Sequence, residues 1–255
     1  MTEKWRLIDI IVADAPTQMA TDEAIAYARN LGETPNTIRL YRWKPSAVSV
    51  GYFQSLRNEV DLEAAASLGV DVIRRITGGG AVFHDYDGEI TYSLVAPESD
   101  PKMPRDILES YRLICNSIVL GLRQMGVESE FKPINDITSG GKKVSGNAQT
   151  RRYGVVLQHG TILLDCDPKK ILSVLKVSGA KLSDKAIKSA EERVTSVRKI
   201  LGRDLTFQDA RAALIGGFEE GLGIELVPGE LTGYEKSLAA DYKTKYASQE
   251  WVYQR

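Results

Sequence analysis

The sequence predicts an α+β protein with mixed or antiparallel sheets flanked by helices. Three observations predict it. Apolar-alternating or β-rich runs crowd the first two thirds of the chain, they follow one another at meander spacing, and helical periodicity dominates the last third. A doubly wound parallel sheet would need a helix after each strand and is disfavoured.

In chain order, residues 17–31 read as a helix, 37–43 and 47–53 as strands, and 61–68 as a helix with Gly69 beyond it. Strands follow at 70–76 and 89–95. Residues 105–125 give the clearest helix, because Ile107, Tyr111, Ile114, Ile118, Leu122 and Met125 recur at steps of three and four. Such spacing lays one apolar stripe along a core-facing side. A strand at 154–165 and helices at 168–177, 207–222 and 233–245 complete the reading. Thr232 and Glu235 have the spacing of a capping box, and Thr206 with Asp209 is a weaker analogue. With no internal repeat or linker composition, residues 1–255 read as a single domain.

Of the 255 residues 43% are hydrophobic and 26% charged, which is ordinary globular composition and argues against disorder. A formal net charge of -1 argues against general nucleic-acid binding. The opening residues lack the basic region, apolar core and cleavage site of a secretory signal, and no apolar run reaches spanning length. The expectation is a cytoplasmic protein with neither nucleic-acid nor membrane partner. Two cysteines, Cys115 and Cys166, and two histidines, His84 and His159, allow neither a disulfide framework nor a structural zinc site. Cys115 falls in the clearest helix as a buried inert thiol, and nothing near Cys166 marks an activated thiolate.

The tract Arg74-Arg75-Ile76-Thr77-Gly78-Gly79-Gly80-Ala81-Val82-Phe83-His84-Asp85 sets two guanidinium groups beside three glycines. Glycines let the main chain approach a ligand closely, and Arg matches phosphate or carboxylate oxygens through its planar fork. An anionic occupant is one reading; a turn between strands with solvated arginines is the other. A second segment, residues 135–149, begins Asn135-Asp136, turns at Gly140-Gly141 and carries Lys142 and Lys143. It reads as a hairpin with either a functional cation or solvated edge lysines. Neither a P-loop nor a G-x-G-x-x-G fingerprint is present. The remaining parts suit activation of a carboxylate by ATP, with the Asn-Asp pair able to hold Mg²⁺ through Asp136.

These motifs, together with Gln18 to Ala24, Ser49 to Gln54, Gln158-His159-Gly160 and the closing Lys245 to Trp251, resemble the lipoate-protein ligase A family. That family lies within a group that includes biotin protein ligases and octanoyltransferases. The resemblance spans nearly the whole chain and implies the biotin/lipoate protein ligase catalytic-domain fold. It implies that lipoate and Mg-ATP give lipoyl-AMP, whose acyl group passes to a lysine of a lipoyl carrier domain. Such carriers belong to 2-oxoacid dehydrogenases or are the glycine cleavage H protein. Lys143 would be catalytic and would also contact lipoate. ATP or adenylate would fall to Arg75, Gly78, Gly79, Gly80, Ala81, Val82, Phe83, Asn135, Asp136 and Lys143. Tyr41, Val82, His84, His159 and Gly160 would line the lipoate pocket. For His84 a hydrogen-bonded strand-end histidine is the competing reading, and Asp85 and Asp136 are candidates for the general base.

The chain is expected to lack the small C-terminal domain of full-length ligases, which implies a separate small accessory subunit. The alternative is an octanoyltransferase drawing on acyl carrier protein, which the resemblance ties to a nucleophilic cysteine. The stretch before the Gly141 to Gln149 motif, where such a transferase would carry it, holds no cysteine, and Cys166 fits the role poorly. Biotin ligation is disfavoured because the tract is not Gly-Arg-Gly, and a non-catalytic lipoate-binding protein would not need Lys143. The charged stretch 181–197 is either a solvated helix or a contact for adenylate or carrier.

Overall fold

The computed structural model describes residues 2–176 and 183–255. The chain runs through β1 (Glu3–Ala13), α1 (Ala15–Asn30), β2 (Thr37–Trp43), β3 (Ala47–Val50), α2 (Leu56–Glu59), α3 (Leu62–Ser67), β4 (Asp71–Arg74), β5 (Val82–His84) and β6 (Glu89–Pro97). Then come α4 (Ile107–Gln124), β7 (Glu130–Lys132), β8 (Asp136–Ser139), β9 (Lys142–Arg152), β10 (Val155–Leu163), α5 (Pro168–Val174) and α6 (Asp184–Arg193). It ends with α7 (Val197–Leu201), α8 (Phe207–Leu222), β11 (Ile224–Pro228), α9 (Gly233–Ala247) and α10 (Gln249–Val252).

Eight strands form one mixed sheet in the order β11-β1-β2-β6-β10-β9-β8-β7. β1 runs parallel to both β11 and β2, and the other pairs are antiparallel. A second sheet has the order β4-β3-β5. The expected α+β architecture of mixed sheets flanked by helices is therefore present.

The period of two along each strand divides the large sheet into two faces. Ile38 and Leu40 on β2, Ile90, Tyr92 and Leu94 on β6, and Val156 and Ile162 on β10 pack in one cluster with Ile114, Ile118 and Leu122 of α4 and Leu214 and Phe218 of α8. Their neighbours Tyr41, Trp43, Val95 and Leu157 join Met19, Ala20 and Ile25 of α1 and the small sheet in a second cluster. The apolar stripe on 105–125 is thus buried as its spacing requires. Capping fixes the helix starts: Asp14, Asp106, Thr206 and Thr232 each accept from a main-chain N–H in the first turn, the last two as complete capping boxes.

The last third is not wholly helical, since β11 separates α8 from α9 and lies beside β1. The predicted helix at 168–177 stops at Val174, and Val177 lies outside the described residues, as do Lys181 and Leu182 of the charged stretch. Within that stretch α6 spans Asp184–Arg193, and its exit is stitched to the lysine hairpin: Thr195 N–H donates to Lys143 O at 2.8 Å, and Lys142 Nζ to Glu191 O at 2.7 Å. Among the described residues no helix is long and apolar enough to cross a membrane.

Candidate active site

On the α1-facing side of the large sheet, alternation places polar groups where apolar ones would be usual. Arg39, Tyr41, Glu89, Thr91, Ser93, His159 and Thr161 all sit at buried positions on that face. Buried polar groups must find partners, and here they find one another. Asp22 of α1 pairs with Arg39 at 2.7 Å, accepts from Tyr41 and Ser93 hydroxyls at 3.0 and 2.7 Å, and meets His159 Nδ1 at 3.3 Å. Burial drives the Asp22 pKa upward, but Arg39 and the hydrogen bonds outweigh it and hold the carboxyl below its usual range. Burial lowers His159 despite Asp22, so this imidazole is neutral.

Between that face and the small sheet lies a cavity of about 110 Å³. Met19, Trp43, Ala81, Val82 and Ala148 give it apolar walls, and Asn135, Lys143, Asn147 and Ser49 give it polar ones. Such a slot suits a short aliphatic chain ending in a polar group. Lys143 Nζ lies 2.6 Å from Asp136 Oδ1, and its end folds over Gly146, where a Cβ would meet Lys143 Cε at 2.6 Å. Gly146 is therefore the space that aims Lys143 inward.

Arg75 does not present its guanidinium to a ligand. Nε donates to Thr77 Oγ1 at 3.1 Å, Nη1 to Ser49 O and Oγ at 3.0 Å, and Nη2 to Gly78 O at 2.8 Å and Gly80 O at 2.7 Å. That occupies all five N–H groups. Burial pulls its pKa down to about 10, which leaves it charged at neutral pH. Arg74 is likewise buried and donates to the carbonyls of Gly51, Tyr52, Gln54 and Val252. Arg75 thus shapes the glycine loop from within, and Arg74 holds the 51–54 turn against the closing helix. Gly51 completes the fit, because a Cβ there would overlap Gly79 O.

The structure brings most of the sequence-predicted residues to one place. Arg75, Gly79, Gly80, Ala81, Val82, Tyr41, His84, Asn135, Lys143, His159 and Gly160 line the cavity. Gly78 and Phe83 do not. Strand alternation in β5 turns Val82 and His84 inward and Phe83 outward to a neighbouring groove, whose walls include Tyr86, Asp85 and Lys170. Asp136 reaches the site only through Lys143. Asp136 is already paired with Lys143, and the described residues contain no group of three His, Cys, Asp or Glu. The candidate base Asp85 instead pairs with Lys170 at 2.9 Å. Sequence reasoning did not single out Trp43, Ser49, Thr91, Asn147 or Thr161 as lining residues. A signal existed: Trp43 follows Tyr41, and Thr161 follows His159, by two residues on the same strand face.

Neither cysteine reaches the cavity. Cys115 is fully buried on α4, and burial pushes its thiol up to about 12. Cys166 lies beyond β10 among Phe83, Leu163 and Ile171, and burial with the negative charges of Asp165 and Asp167 pushes it up to about 11. Both are thiols, not thiolates, at neutral pH.

Residues 14–219 match the model of the lipoyl protein ligase A/B catalytic domain. Octanoyltransferase LipM of Kyrpidia tusciae is 40% identical over 275 residues, covering 99% of this chain and all of that protein. The Bacillus subtilis protein of the same name is 35% identical, covering 99% of each chain. Among solved structures, a bi-partite lipoate protein ligase of Thermoplasma acidophilum is 33% identical with a TM-score of 0.88, covering 99% of this chain and 97% of that one. A lipoate-protein ligase A bound with ATP is 31% identical with a TM-score of 0.83, covering 99% of each. The octanoyltransferases overturn the expectation of a lipoate ligase driven by Mg-ATP and favour its alternative. The family itself stands: on the match of residues 14–219 and on relatives aligned along their whole length, the chain belongs to the lipoyl protein ligase A/B catalytic domain family.

Proposed function

We propose that the chain is an octanoyltransferase, which moves an octanoyl group from a thioester on acyl carrier protein to a lysine amine of a lipoyl carrier domain. The observation that carries this reading is full-length identity of 40% to an octanoyltransferase. The cavity supports it. Its apolar wall can bury an aliphatic chain at about 0.8 kcal/mol per CH₂, and Lys143 stands at its polar wall. A thioester is already activated, so its aminolysis needs no nucleotide. It needs the carbonyl held, the developing oxyanion neutralised and a proton removed from the amine. Lys143 supplies the positive charge.

The test is the intact mass of an unmodified lipoyl carrier domain after incubation with this chain and octanoyl-acyl carrier protein, without nucleotide. An octanoyl group on the carrier is expected. Modification only from free acid with Mg-ATP, and none from the thioester, would overturn the reading. Because the Cys166 thiol sits outside the cavity with its pKa raised, Cys166→Ala is expected to retain transfer within about twofold. Loss of transfer in that variant would move the chemistry to the Cys166 thiol.

A further inference from the structure

The ion pair that aims Lys143 stands on a short piece of sheet edge. β8 opens at Asp136, which faces Gly146 across the ladder, and β7 and β8 hold only three and four residues. The turn between them is exposed, with Ile134 68% accessible. So little main-chain pairing leaves the Asp136 end free to open locally unless side chains secure it. Two asparagines do so. Asn147 of β9 donates to Asn135 O twice, from its main-chain N–H at 3.0 Å and from Nδ2 at 2.9 Å, and Asn135 Nδ2 donates back to Asn147 O. Asn135 is thereby held by main chain and amide alike, one residue before the carboxylate that meets Lys143 Nζ at 2.6 Å.

What orients the Asn147 amide lies on the other face of the sheet. Tyr92 of β6 is buried in the cluster against α4 and α8, and its hydroxyl donates to Asn147 Oδ1 at 2.7 Å. A hydroxyl gives one hydrogen and can accept others. Gln158 Nε2 donates to it at 2.7 Å and faces Cys115 Sγ at 3.8 Å, while Gln158 Oε1 accepts from Gln149 Nε2 at 3.0 Å. The bonds therefore run one way, from Gln149 through Gln158, Tyr92 and Asn147 to the Asn135 carbonyl. Buried chains of this kind strengthen bond by bond. Gly160 makes the crossing possible, because it stands opposite Asn147 and a Cβ there would overlap Asn147 Oδ1.

Resting on the octanoyltransferase reading, we propose that Tyr92 is a positioning residue of the transfer, which keeps Lys143 aimed into the cavity through Asn147, Asn135 and Asp136. Asn135, Asn147 and Lys143 line the cavity, whereas Tyr92 does not, so its hydroxyl acts only through those groups. Core packing does not account for it. The ring packs on Phe218 with centroids 5.3 Å apart, a contact that phenylalanine would make as well, and burying a hydroxyl is favourable only where it finds partners.

Tyr92→Phe keeps the ring and removes the one oxygen. In steady-state transfer from octanoyl-acyl carrier protein to a lipoyl carrier domain, kcat is expected to fall by about tenfold with the donor KM within about twofold of wild type, since a misaimed cation is felt as charge develops. The same substitution made in Lys143→Ala or in Asn147→Ala is expected to cost less than about twofold, because the group through which it acts is already gone. Circular dichroism on each variant checks that the fold is intact. A loss by the same factor in the wild-type and Lys143→Ala backgrounds assigns the hydroxyl to the core alone and overturns the proposal, as does a Tyr92→Phe kcat within about twofold of wild type. Both results leave the octanoyltransferase reading standing. Absence of any wild-type transfer from the thioester to carrier is the separate result that overturns that reading.

Discussion

Lys143→Ala is expected to lower the rate of carrier octanoylation by about 10²–10³-fold, the usual effect of removing one group that stabilises an oxyanion. The donor KM should change by less than about threefold, because a charge that matters as the tetrahedral intermediate forms acts on kcat. The side chain is about one third exposed and paired with a similarly exposed Asp136, so its loss removes no buried contact of consequence. Circular dichroism and melting temperature should therefore match the wild type. Full activity in a folded Lys143→Ala protein would show that the cation at the cavity wall has no part in the chemistry.

Arg75→Ala is expected to act in the opposite manner, through the fold. Five N–H groups now satisfy Thr77 Oγ1, Ser49 O and Oγ, and the carbonyls of Gly78 and Gly80. Truncation leaves those acceptors without donors in a buried site, at about 1–3 kcal/mol for each that water cannot reach. With more than one acceptor affected, melting temperature should fall by on the order of 10 °C, and transfer should be lost with it because the glycine loop no longer holds its shape. Arg75→Lys offers three donors on one atom against five on a planar fork, so it should recover only part of the stability. A Tm unchanged by Arg75→Ala in thermal denaturation would mean that the loop is held from elsewhere.

Periodic segments were the legible part of the fold. The strand at Thr37–Trp43 and the helix at Phe207–Leu222 end where their patterns end, because one alternates cleanly between two cores and the other is capped by Thr206 and followed by a left-handed Gly223. β1 was missed since Trp5, Arg6, Leu7 and Ile8 are all buried, which erases the alternation a half-exposed strand would show. β11 is only five residues long and depends on β1 for its pairing. At the site, the glycine tract and Lys143 were visible as residue types. What Arg75 does was not, because its sequence neighbours say nothing about the Ser49 carbonyl and hydroxyl that take its hydrogens. The hydrogen bonds of His84 to Ser49 Oγ at 2.8 Å and to Glu89 Oε1 at 2.7 Å were hidden for the same reason: they join three strands, and only their register brings the groups together.

Arg74 has a consequence for how the molecule comes into being. Its guanidinium is held by Val252 O, 178 positions further along the chain, and its own carbonyl accepts from Trp251 Nε1 at 2.8 Å. During synthesis on a ribosome Arg74 and the turn at residues 51–54 emerge early yet stay without these contacts until residues 251 and 252 have been made. The burial of Arg74 is thus completed from the far end of the chain, so this contact of high sequence separation can close only after nearly all of the fold has been made.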